Sequence, residues 1–265
     1  MALLFRSTIR TAAGCIWYCR SNGYPPNLSR HHAGQSNQAF SETLDWALKM
    51  ILVIALPAAV ALMLLAEPIL VTLFYYGEVM TLRDMAMASL SLKAYAAGLI
   101  AFMLIKVLAP GFFARQDMRT PVRIGVIAML LNMLFNLLLV IPLHKYWQVG
   151  HLGLAAATSL SAFINAILLF ISLRKKAIYQ PSKGWLRFFV GLVSSVLVML
   201  LVLVQLLEIG GGTEAYYHQD WLQRITSIGL LCGIGFMTFV VSLFVFGFRL
   251  SDMRGPTKVT NDLSK

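Results

Sequence analysis

Six long apolar stretches, separated by short polar connections, constrain this chain more than any other feature. They run over about Leu44–Ala66, Ala86–Leu108, Val122–Ile141, Leu152–Leu173, Trp185–Leu207 and Ile225–Phe248. A helix needs roughly 20 apolar residues to cross a hydrocarbon core, and each stretch supplies that length. A soluble core would show amphipathic stripes or short strands instead. Charged residues make up 12% of the chain, about half the share of an ordinary soluble domain. The expectation is an all-α membrane protein with six transmembrane helices.

Prolines punctuate this pattern. Pro57 lies inside the first block. It removes a backbone donor and marks a hinge that membrane helices tolerate. Pro142 closes the third block. Between the first two blocks lies Pro68–Gly77, PILVTLFYYG, apolar but too short to span. It reads as a short interfacial helix with Tyr75 and Tyr76 at headgroup level.

Lys and Arg give the orientation. Eighteen of the 22 fall in the leader and first helix start, the second and fourth connections, and the tail. Only Arg83, Lys93, Lys145 and Arg224 fall on the opposite side. The alternation follows the helices, so the positive-inside rule places both termini in the cytoplasm. The net charge of +11 therefore reflects orientation and contact with anionic lipid. No aromatic-plus-basic groove of a single-strand binder accompanies it, so nucleic acid is not an expected partner. Membrane lipids are.

The chain lacks the spacing of a zinc protease, a serine hydrolase elbow, a P-loop or a dinucleotide site. Cys15 and Cys19 have no further ligands nearby, so neither a metal site nor a cofactor is expected. The acidic residues fall at or beyond helix ends, which argues against a carboxylate proton relay. An enzyme is the least supported class. Lys93, the deepest charge, reads as a residue snorkelling to the headgroups.

The informative stretch is Lys106–Arg123, KVLAPGFFARQDMRTPVR. Pro110 and Gly111 end a helix there, because proline blocks continuation and glycine permits close backbone approach. Arg115, Arg119 and Arg123 are four apart and share a face if the connection is helical. Guanidinium forks suit phosphate oxygens, including a lipid pyrophosphate. The alternative is a positive-inside anchor, which on physics alone stands first. Asn132 and Asn136, also four apart, suit hydrogen bonding to a neighbouring helix better than a polar cavity. The small residues Gly153, Ala155, Ala156, Ala157, Ser159, Ser161 and Ala162 mark a close helix contact.

At this stretch the sequence resembles the MurJ/MviN family of lipid II flippases, within the multidrug/oligosaccharidyl-lipid/polysaccharide exporter superfamily. Lys106, Ala109, Pro110, Gly111, Phe112, Arg115, Gln116, Asp117, Thr120 and Pro121 match its run. Further matches are Pro26 to Arg30, Asp45-Trp46 leading to Leu56-Pro57, Tyr76-Gly77, Asn132 with Asn136, and Gly153-Leu154-Ala155.

The resemblance implies the last six helices of a fourteen-helix, two-lobed flippase in the bacterial cytoplasmic (inner) membrane. Its substrate would be the undecaprenyl-diphosphate-linked peptidoglycan precursor. It makes Lys106, Arg115, Gln116, Asp117, Arg119, Arg123, Asn132 and Asn136 the substrate-binding or gating candidates. Pro57, Pro110, Gly111 and Pro121 become hinges. The implied organisation is a divergent, disordered leader at 1–24, a cytoplasmic connection at 25–43, and a four-helix part at 44–173. A terminal helix pair at 185–248, with a candidate lipid-tail groove, and a cytoplasmic tail at 249–265 complete it.

The family's N-terminal lobe and the arginine-bearing helix before residue 25 have no counterpart here. A shifted reading frame or truncated gene is the expected cause. The open alternatives are export of another polyprenyl-linked glycan and a transport-inactive truncated membrane protein; for transport, the missing N-terminal lobe is the expected partner.

Overall fold

The structure, a computed structural model, describes residues 37–75, 81–147, 149–176, 179, 181–182 and 184–246. The expected leader and tail lie outside the described residues. The elements are α1 (Asn37–Phe74), α2 (Leu82–Phe113), α3 (Arg119–Trp147), α4 (Gly150–Lys175), α5 (Trp185–Ile209), a single turn α6 (Ala215–His218) and α7 (Trp221–Val245). Six of them are long and apolar enough to cross a membrane, from 35 residues in α1 to 25 in α5 and α7. No strand occurs among the described residues.

Three proline expectations are corrected. Pro68 does not begin a separate interfacial helix: α1 runs unbroken through Pro57 and Pro68 to Phe74. Without water to hydrate a broken backbone, apolar sequence on both sides of a proline keeps its helical bonds. Pro110 and Gly111 do not end α2, which continues to Phe113. Pro142 lies inside α3 and does not close it. The segment expected as a connection up to residue 43 is helical from Asn37.

The first four helices form a row in which α1 packs on α2, α2 on α4, and α4 on α3. Small residues of α4 set the spacing. On one side, Ser159 donates to the Ala94 carbonyl of α2 at 2.7 Å. On the other, a Cβ at Gly153 would meet Leu139 and Val140 backbone at 3.0 Å. Glycine there lets the α3 and α4 backbones approach directly.

The α5–α7 pair stands beside this row and packs chiefly on α1. Leu52, Val53, Leu65 and Val71 of α1 meet Leu192, Val196, Met199 and Leu203 of α5 and Leu231, Phe239 and Leu243 of α7. A second core gathers Phe40, Leu44 and Leu48 of α1 with Leu108, Phe112, Ile124, Leu169 and Leu173. It lies at the end of the row where α2 turns into α3.

Candidate functional site

The turn between α2 and α3 is built by backbone geometry. The Asp117 N–H donates to the Phe112 carbonyl at 3.1 Å and the Gln116 N–H to the Phe113 carbonyl at 2.9 Å. Gln116 has φ 59°. This is a Schellman stop, whose left-handed position usually carries glycine. The sequence Arg-Gln-Asp thus stops α2, whose last residue, Phe113, lies three residues beyond the proline expected to end it.

Asp117 then starts the next helix. Its carboxylate accepts the Thr120 N–H at 3.1 Å and the Thr120 hydroxyl at 2.7 Å, as N-terminal capping residues do. Lys176, just beyond α4, pairs with the same carboxylate and donates to the Thr120 hydroxyl at 2.8 Å. Hydrogen bonds from Lys176, then from Thr120, hold the Asp117 carboxyl at about 2. Pro121 falls in the first turn of α3, where a missing N–H costs nothing.

The Arg115–Arg119–Arg123 face does not form as expected, because the left-handed Gln116 interrupts any helix between Arg115 and Arg119. Arg115 is half-buried with its guanidinium 5.3 Å from the Phe40 ring centre. Arg119 and Arg123 are exposed, one turn apart on α3, and Lys106 is exposed on α2. Gln116 is exposed too. Gly111 is buried, with Leu44 and Leu173 at ordinary contact distance from a Cβ placed there.

Asn132 binds across the α3–α4 contact, and Asn136 braces it from one turn further along α3. Asn132 donates to Ser161 at 3.1 Å and to Thr158 at 3.4 Å, and Asn136 donates to the Asn132 carbonyl oxygen at 3.0 Å. The carbonyl oxygen of Asn136 is buried and has no hydrogen-bond partner among the described residues.

Two polar clusters had no reading in the sequence. In the first, Asp45 is only 4% exposed. It accepts from Tyr179 and from the Trp185 indole at 2.6 Å each, and from the Ser182 hydroxyl at 2.6 Å. Lys49, one turn along α1, pairs with it at 2.7 Å, donates to Ser182 at 2.9 Å and lies 5.4 Å from the Trp185 ring centre. Burial, then the bond to Asp45, pushes the Tyr179 phenol well above its ordinary range.

In the second cluster, Arg224 of α7 is 7% exposed. It donates to the carbonyls of Tyr75 at 3.1 Å and Val71 at 3.4 Å, which close α1. It also donates to Gln219 at 2.8 Å and Tyr217 at 3.2 Å. Tyr217 stacks edge-on against Tyr75 and donates to Glu67 at 3.1 Å. Burial, then the nearby Glu67 carboxylate, pushes its phenol up to about 12. An Asp-to-aromatic cluster 134 residues apart in sequence, and an arginine on carbonyls 149 residues away, carry no local signal. Only the position of Asp45 and Arg224 at block ends hinted at them.

Between α5 and α7 runs an apolar recess lined by Val198, Met237, Val241, Val245 and Phe246. The Ser242 hydroxyl on its wall is buried and has no hydrogen-bond partner among the described residues.

Six spanning helices, a capped basic turn at one end and polar seams between helices define a multi-pass helical membrane protein. The sequence model of the family described as Lipid II flippase MurJ matches residues 22–218. The chain belongs to that family. A Haemophilus influenzae protein named probable lipid II flippase MurJ is 44% identical over 239 residues, covering 84% of this chain and 43% of its own. One of the same name from Vibrio cholerae is 39% identical over 233 residues, covering 88% and 42%. The lipid II flippase MurJ of Burkholderia cenocepacia is 42% identical over 174 residues, covering 66% and 32%. The chain thus spans less than half the length of these relatives. A solved structure of lipid II flippase MurJ in an inward closed conformation superposes with TM-score 0.63 at 23% identity, over 83% of this chain and 41% of that one. That likeness bears on the fold alone.

Proposed function

We propose that this chain supplies the C-terminal six helices of a lipid II flippase. It would translocate the undecaprenyl-diphosphate-linked peptidoglycan precursor across the bacterial cytoplasmic membrane, with both termini in the cytoplasm. The carrying observation is the Lys106–Arg123 stretch, whose capped turn sets half-buried Arg115 before exposed Arg119 and Arg123 at the lysine- and arginine-rich end of the helices. Arginine forks and exposed lysine suit the pyrophosphate of such a lipid. The apolar recess between α5 and α7 suits its polyprenyl tail, as the resemblance implies. Alternating access rocks one lobe against another, and the 42–43% coverage of the Vibrio and Haemophilus relatives supports a second lobe as a required partner.

The test places this chain behind the N-terminal part of the Vibrio cholerae relative, in cells depleted of their own flippase. Arg115→Gln with Arg119→Gln is expected to abolish rescue at normal membrane abundance. Unchanged rescue would leave both arginines as topological anchors. The other open function, export of a different polyprenyl-linked glycan, predicts no rescue by either version. Alkaline phosphatase fused after Lys265 is expected to be inactive, and activity there would reverse the topology.

A further inference from the structure

We infer that Asp45 and Arg224 are positioning residues that pin the α5–α7 pair to α1 at opposite membrane faces. Most of the contact between the pair and α1 is apolar, Leu and Val against Leu, Val, Met and Phe. In lipid such contact has little driving force, because acyl chains are as apolar as leucine. What distinguishes the docked pair from one drifting in the bilayer is packing detail and polar contact.

Among the described residues, two places carry buried charged groups in this contact. Asp45 gathers Tyr179, Ser182 and Trp185, the link into α5 and its first residue. Arg224, in the first turn of α7, gathers the carbonyls that close α1. Both helices of the pair are therefore held near their N-terminal ends. Asp45 and Val71 are 26 residues apart along one helix, about 39 Å at 1.5 Å per residue. A bilayer with its headgroups is about 40–45 Å thick. Each clamp thus falls in a headgroup zone, where a charge is tolerated.

Their chemistry differs. The Asp45 carboxylate accepts from side chains and pairs with Lys49. The Arg224 guanidinium fans out over four backbone carbonyls, a fit for its fork that a lysine ammonium lacks. The inference concerns docking alone and stands apart from whether the chain moves lipid.

The test is a pair of spin-label distances in lipid nanodiscs, on the full chain with its three cysteines changed to serine. One pair of labels joins Ile54→Cys on α1 to Phe236→Cys on α7, both outward-facing sites. The control pair joins Leu90→Cys on α2 to Leu160→Cys on α4. The parent is expected to give a narrow distribution for both. Asp45→Ala with Arg224→Met is expected to lose most of the narrow α1–α7 peak while the α2–α4 peak stays, with each single variant intermediate. An unchanged α1–α7 peak in the double variant overturns the inference. So does broadening of both pairs together, since the clamps would then hold the whole bundle and not the helix pair.

Discussion

Replacing Gly98 by alanine puts a methyl group into the α2–α4 contact, and the structure sets its cost. The new Cβ would lie 2.5 Å from the Ser159 hydroxyl oxygen, 2.9 Å from its Cβ and 3.1 Å from its Cα. Rotating the hydroxyl relieves the first contact but gives up the 2.7 Å bond to the Ala94 carbonyl. The other two are relieved only if the helices move apart. Overpacking costs about 1–3 kcal/mol, the lost interhelical bond about 0.6 kcal/mol, and alanine returns about 1 kcal/mol of helix propensity. The net expectation is a destabilisation of roughly 0.5–2.5 kcal/mol. Equilibrium unfolding by sodium dodecyl sulfate in mixed micelles, followed by helicity, measures it. A size swap checks the cause. In a Ser159→Gly background the hydroxyl and Cβ contacts are gone and only the 3.1 Å approach to the Cα remains, so Gly98→Ala is expected to cost clearly less than in the parent. An equal cost in both backgrounds, or no cost in the parent, would refute the reasoning.

Three further outcomes are expected. Gln116→Gly relieves the left-handed backbone at φ 59° and is expected to raise stability by about 0.5–1 kcal/mol in the same titration. The Asp117 carboxyl is depressed to about 2 from 3.8, so its contribution is present above the unfolded value and fades as pH falls from about 4 to 2. Melting of the detergent-solubilised chain across that window is expected to lose part of its pH dependence in Lys176→Met, through the lost hydrogen bond. Asn132→Leu removes the amide that binds Ser161 and Thr158 and is expected to cost about 0.6–2 kcal/mol, read by the same unfolding.

Six spans were legible because membrane helices announce themselves by length and hydropathy, which need no partner. The helix ends were less so. Pro68, Pro110 and Pro142 read as breaks, yet α1, α2 and α3 run through them, since a helix in lipid has no hydrated alternative. The true stop of α2 is Gln116, where nothing in the residue type suggests a left-handed backbone. Asn132 and Asn136 were legible as neighbours on one helix face, and of the two only Asn132 makes the expected bond to the adjacent helix. The Asp45 and Arg224 clusters were not, because their partners come from elements far away in sequence. The arginine face failed for a local reason: one left-handed residue rotates Arg115 out of line with Arg119.

The central claim, that this chain is the C-terminal part of a lipid II flippase, is tested most directly by rescue of flippase-depleted cells. Two inserts are compared: the chain alone, and the chain fused behind the N-terminal part of the Vibrio cholerae relative. Growth and restored peptidoglycan synthesis are expected with the fusion only. No growth with a fusion that reaches the membrane in normal amount would contradict the assigned function. Growth with the chain alone would contradict the need for a second lobe.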